Sequence, residues 1–168
     1  MRISSIPILV IFLGVNGIAG CSGDKTNKLP SAAKSIFEKA EEIELISLDP
    51  GHPERGERPP KGDYFGWKEL GRTTLEDAET RRRVVSAVEK GFAEGGRAAS
   101  CFDPRHAIHA SYKGKTVDIL ICFRCSQVLV YLNDERQDPF LEISVSPQPV
   151  LDKILADANV PLAPKPEH

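Results

Sequence analysis

From Thr116 to Leu132 the chain runs TVDILICFRCSQVLVYL, seventeen residues that favour strand almost throughout. A strand in a globular domain is usually about 5–6 residues long. The run must therefore fold back on itself, and its break falls at Cys122-Phe123-Arg124-Cys125. On its N-terminal side, His106 to Tyr112 is a further strand, separated from the run by the turn signal Lys113-Gly114-Lys115. Asn133-Asp134 marks another turn, ahead of a shorter strand expected from Phe140 to Val145. Successive hairpins impose antiparallel pairing, because parallel neighbours need long crossovers. Neither a glycine-rich phosphate loop nor strict βα alternation is present, which excludes a doubly wound nucleotide-binding fold.

Helical patterns flank this β core. From Ser31, taken as an N-cap, Ala33, Ile36, Phe37, Ala40 and Ile43 share one stripe, and Glu42 to Leu48 then turns toward β character. Asp49 to Asp63 holds four prolines and three glycines and reads as an exposed loop, with His52 a solvated residue in it. Tyr64 to Leu70 is expected as a strand carrying the single tryptophan. Thr74 has the spacing of a capping residue for a helix that turns Leu75, Ala78, Val84, Val85, Val88 and Phe92 inward. Arg81, Arg82 and Arg83 form its solvated face, and Gly95-Gly96 stops it. Ser146-Pro147 opens a last helix with Val150, Leu151, Ile154 and Leu155 on its apolar stripe, ended by Asn159 and Pro161. The expectation is one α+β domain over residues 31–162, an antiparallel sheet with hairpins and about three helices packed mainly on one face. Residues 163–168 form a proline-bearing tail.

The N-terminus speaks to location. Met1-Arg2 is followed by an apolar run from Ile6 to Val15, too short for a spanning helix and suited to an export signal. Ile18-Ala19-Gly20-Cys21 closes the run and resembles the lipobox of bacterial lipoproteins. That resemblance implies a signal peptide over residues 1–20, acylation of Cys21 and a polar tether over residues 21–30. Ser22 after the cysteine favours the outer membrane, with the domain facing the periplasm. The formal charge is −2, so nothing in the chain supports nucleic-acid binding.

With Cys21 assigned to lipid, Cys101, Cys122 and Cys125 remain, an odd number for an exported chain. Cys122 and Cys125 have the spacing that lets two sulfurs reach one ion, and Cys101 with His106 would complete a tetrahedral Cys₃His site for structural zinc. Oxidation is the competing expectation, with Cys101 joined to Cys122 as the bridge considered and one thiol left over. The third alternative is that these cysteines are small buried hydrophobes. Ser126 after the CxxC pair excludes covalent haem attachment, and flanking strand formers remove the helix N-terminus that a thioredoxin-like pair requires. A nucleophile built on Cys101 with His106 or His109 has no geometric support, and those two histidines should face opposite sides of a strand.

The segment Cys101-Phe-Asp-Pro-Arg-His106, followed by Lys115-Thr-Val-Asp-Ile-Leu-Ile-Cys122-Phe-Arg-Cys125 and Ser146-Pro-Gln-Pro, is similar to a group of uncharacterised bacterial exported proteins. It spans about Ile43 to Pro161 and implies no activity, so no catalytic residue is assigned. The leading expectation is a lipid-anchored envelope module of non-enzymatic binding or structural role, stapled at its Cys/His segment, with an envelope protein or peptide as partner. The alternative is an envelope thiol-redox factor or enzyme using Cys101, Cys122 or Cys125 with His106.

Overall fold

The computed structural model describes residues 27–51 and 64–164. The lipobox, Cys21, most of the proline-rich loop including His52, and the last four residues lie outside them. Among the described residues three helices and six strands follow in the order α1 (Ser31–Lys39), β1 (Glu42–Asp49), β2 (Lys68–Thr74), α2 (Ala78–Glu94), β3 (His106–Tyr112), β4 (Lys115–Cys122), β5 (Gln127–Leu132), β6 (Glu135–Glu142) and α3 (Gln148–Asp157). The strands form one sheet in the order β2-β1-β3-β4-β5-β6, antiparallel throughout. This is the α+β architecture the hairpin signals require.

Local chemistry sets the turns. Lys113 and Gly114 both have positive φ (50° and 71°), as do Asn133 and Asp134 (48° and 65°). Paired left-handed residues make the two-residue turn whose twist matches the flanking strands. The second turn therefore starts β6 at Glu135, five residues ahead of the strand expected from Phe140.

Strand alternation divides the core in two. Ile43 and Leu45 of β1, Ile108 and Ala110 of β3, and Val117, Ile119 and Ile121 of β4 face one way, packed with Phe37 of α1, Val84, Val88 and Phe92 of α2, and Leu151 and Leu155 of α3. All three helices thus cover one face. The intervening residues Ile46, Leu48, Ala107, Leu120 and Leu129 face the other way, beneath Tyr64, Phe65, Trp67, Phe102 and Tyr131. At Gly91 of α2, an added Cβ would lie 2.5 Å from Pro147 Cγ, so only glycine lets the helix approach the start of α3 this closely.

Several expected boundaries move. Tyr64 to Trp67 is a tight turn with Phe65 and Gly66 at positive φ, and β2 begins only at Lys68. These aromatics are strand formers by type, but here they pack as a flap on the second face, with Phe65 stacked on Tyr131 at 4.1 Å. Thr74 ends β2, and Asp77 caps α2 by accepting the Thr80 N–H at 2.7 Å. Ala78, at the first helical position, is exposed. Pro30 occupies the cap of α1, one residue ahead of Ser31, and Pro147 the cap of α3, neither with a side-chain bond. Residues 27–30, expected within the tether, are docked. Leu29 is buried, and the Asn27 amide donates to the Phe92 and Glu142 carbonyls while accepting the Glu142 N–H.

Candidate functional site

The turn between β4 and β5 carries the sulfur chemistry. Cys122 and Gln127 are the last pair of the ladder, which leaves a four-residue loop with Ser126 in the left-handed region (φ 51°). Cys122, at the end of β4, and Cys125, in the loop, form a disulfide. Both sulfur-bearing residues are fully buried, and the Cys125 N–H donates to Cys122 Sγ at 3.1 Å.

Cys101 arrives from the segment between α2 and β3. The Ala99 N–H donates to the Cys125 carbonyl at 3.0 Å, and the Arg105 N–H to the Ile121 carbonyl at 3.2 Å. These bonds lash the strand's approach along the turn and set Cys101 Sγ 2.6 Å from Cys125 Sγ. Cys101 is half-buried and is the one free thiol among the described residues. The observed bridge is thus Cys122–Cys125, not the Cys101–Cys122 pair considered from spacing. Cys101 is beside Cys125, the far partner of that bridge.

The fourth member is not His106. Cys122 follows Ile121, which faces the helices, so alternation turns it toward the second face. His106 is aligned with Ile108 and Ala110 and faces the helices instead. Its Nε2 is 2.7 Å from Asp152 Oδ1 of α3, and its ring meets Phe123 edge-on at 5.3 Å. Strand parity therefore rules out the Cys₃His tetrahedron expected from sequence. The third donor beside the sulfurs is Asp103. Cys101 Sγ, a carboxylate oxygen of Asp103 and Cys125 Sγ lie within 4.8 Å of one another, close enough to hold a metal ion. Asp103 stands two residues after Cys101, and that spacing was its only sequence signal.

The histidines do part as expected, and His109 enters a cluster that sequence reasoning missed. Its Nδ1 is 2.6 Å from Asp118 Oδ1 across the β3–β4 ladder, and the Tyr64 hydroxyl donates to the same oxygen. Asp118 is 2% exposed. Bonding to its carboxylate raises the His109 pKa against the opposing effect of burial. Burial first, then the bond to Asp118, holds the Tyr64 phenol in its protonated form well above the ordinary range. Arg72 borders the cluster and is paired with Glu69 and Glu44. These groups line a cleft of about 380 Å³, and their mutual pairing makes them a clamp for the aromatic flap.

A second cleft, about 360 Å³, opens on the helix side beside the CxxC turn. Phe123, Val145 and Leu162 supply apolar wall, Arg105 and Arg124 border it with positive charge, and Asp152, paired with His106, lines it as well. Among the described residues no helix is long and apolar enough to cross a membrane. Comparison with family models, curated proteins and solved structures finds no match to the chain.

Proposed function

We propose that this is a lipid-anchored protein of the bacterial cell envelope whose domain carries a thiol–disulfide exchange centre acting on an envelope protein or peptide. The lipobox at Ile18 to Cys21 supports the anchor and the outer-membrane, periplasm-facing location. One observation carries the chemistry: the Cys101 thiol lies 2.6 Å from a sulfur that is already in a disulfide. A third sulfur in contact with a bridge is the arrangement that thiol–disulfide exchange requires. Of the two functional expectations, the geometry therefore favours the thiol-redox alternative, with Asp103 and not His106 beside the cysteines.

The exchange balances without any other reagent. Cys101 thiolate attacks Cys125 Sγ, the Cys101–Cys125 bond forms, the Cys122–Cys125 bond breaks, and Cys122 leaves as thiolate. The Cys125 N–H, already directed at Cys122 Sγ, stabilises that leaving group. The new bridge is the accessible one, because Cys101 is half-buried whereas Cys122 and Cys125 are closed off. A partner thiolate attacks Cys101 Sγ and displaces Cys125; a second partner thiol then displaces Cys101. The partner dithiol ends oxidised and the domain holds two electrons more.

The expected structural zinc competes for the same sulfurs, since neither cysteine of an intact bridge is a thiolate ligand. The binding-module expectation keeps one supporting feature, the arginine-bordered cleft beside the turn, which suits an acidic, apolar peptide segment.

Disulfide mapping of the full chain, solubilised in mild detergent and acid-quenched before alkylation, tests the proposal. In a glutathione redox buffer both Cys122–Cys125 and Cys101–Cys125 peptides should be recovered, together with a Cys101–glutathione adduct. Recovery of Cys122–Cys125 alone, with Cys101 never in a mixed disulfide, would reduce the centre to a staple. Fractionation that finds Cys21 unmodified would remove the anchor.

A further inference from the structure

We propose that reduction turns the sulfur centre into a zinc-class metal site with Cys101, Cys122, Cys125 and Asp103 as its four ligands, so that the redox state of the turn gates metal binding. This goes beyond the exchange activity and rests on the convergence of Cys101, Asp103 and Cys125, with Cys122 tied to Cys125. It stands whether or not Cys101 exchanges.

Zinc takes thiolate sulfur at about 2.3 Å and carboxylate oxygen at about 2.0–2.2 Å in a tetrahedron, which puts ligand sulfurs about 3.8 Å apart. The Cys101, Asp103 and Cys125 donor atoms already lie within 4.8 Å of one another. Cys122 Sγ is bonded to Cys125 but stands outside that group of three, and it reaches the ion as the fourth donor by a side-chain rotation that opening the bond allows. Reduction replaces a covalent bond by a non-bonded contact, which moves the sulfur pair toward the spacing the metal requires.

The scaffold suits such a site. Cys122 ends a central strand and Cys125 sits in its tight turn, both buried, so the back of the site is fixed and dry. Cys101 and Asp103 come from the irregular segment ahead of β3, are half-buried, and leave an entry path from solvent. Three thiolates select a borderline-soft ion over calcium or magnesium, which take oxygen ligands. In the oxidised state Cys122 and Cys125 are tied up in their bridge, and Cys101 and Asp103 alone are too few donors to hold the ion. A dithiol reductant supplies two electrons and two protons to Cys122–Cys125. Zinc then displaces the thiol protons of Cys101, Cys122 and Cys125 and accepts the Asp103 carboxylate.

The full chain in mild detergent is reduced anaerobically, given one equivalent of cobalt(II), and then challenged with zinc. Reduced protein should develop thiolate-to-cobalt charge-transfer bands and the visible bands of tetrahedral cobalt. Zinc should bleach both and remain at one per chain after desalting, while oxidised protein shows neither effect. Asp103→Asn should weaken zinc at least about tenfold, the scale on which mutations around metal centres act. Cys101→Ala and Cys122→Ala should abolish the tetrahedral spectrum, and His106→Gln should leave it intact, each with circular dichroism as the check on folding. Reduced protein that retains no more metal than oxidised protein overturns the proposal, as does dependence on His106 in place of Asp103. A centre that exchanges disulfides yet fails the cobalt test sinks this inference alone. One that binds cobalt while Cys101 never enters a mixed disulfide sinks only the exchange activity.

Discussion

Two alanine variants force the centre into one bridge each. Cys101→Ala leaves only Cys122–Cys125, three residues apart, and Cys122→Ala leaves only Cys101–Cys125, twenty-four apart. In the chain-entropy account a cross-link stabilises by restricting the unfolded chain, by an amount growing with the logarithm of the closed loop. A loop of about four residues gives about 2 kcal/mol and one of about twenty-five gives about 3.5 kcal/mol. The longer bridge should thus confer about 1.5 kcal/mol more, roughly a tenfold larger shift in the folding equilibrium. Each variant is compared with itself, oxidised against reduced, so any cavity left by the missing sulfur cancels. Urea titrations of the detergent-solubilised chain followed by Trp67 fluorescence provide the readout. This single tryptophan lies 6.3 Å from Phe102, next to Cys101 in the chain. If oxidation stabilises Cys122→Ala less than Cys101→Ala, the native fold does not bring Cys101 to Cys125 and the exchange centre falls with it.

The remaining predictions address the frame around the centre. The His109 pKa is raised by its bond to Asp118, so the stabilisation is complete below the unfolded value near 6.5 and is lost as pH rises through the folded value. Denaturant midpoints should therefore fall across that window in the native chain, and His109→Gln should flatten the profile; an unchanged profile would refute the pairing. Asp118→Ala leaves the Tyr64 hydroxyl and His109 Nδ1 without their buried acceptor and should cost about 1–3 kcal/mol for each group left unpaired, measured by urea titration. Gly91→Ala should cost about 1–3 kcal/mol, because its Cβ would lie 2.5 Å from Pro147 and 2.9 Å from Ile143. Leu155→Ala, in the core beneath α3, should cost about 2–5 kcal/mol, whereas Leu162→Ala at the exposed rim should be near neutral.

What was legible in the chain was local. The Lys113-Gly114 turn fixes Tyr112 opposite Lys115, and β3 spans the residues that strand propensity and turn chemistry assign to it. The same register places His109 opposite Asp118, the lone acid of β4, so that pair is implicit in the turn position alone. The rest depended on distant partners. Tyr64 to Trp67 have strand-forming side chains, but their place is decided by the second apolar face of the sheet, built from β1, β3, β4 and β5, that they cover. His106 resembled a fourth metal ligand because it is five residues from Cys101. Its actual partner, Asp152, is forty-six residues away on a helix whose docking no local pattern reveals. Spacing likewise could not choose among the three pairings of Cys101, Cys122 and Cys125, because the choice rests on how the segment ahead of β3 is fastened along the turn.

The docking of Asn27 has a geometric corollary for any molecule moored through Cys21. The Asn27 side chain is clasped between the last turn of α2 and the end of β6, so only the residues from 21 to 27 are left to span the distance between such an anchor and the domain. Fully extended chain gains at most about 3.3–3.6 Å per residue, which caps that distance at roughly 20 Å. The globule would skim the headgroups instead of riding on a stalk, and its partners would have to approach within the same thin layer.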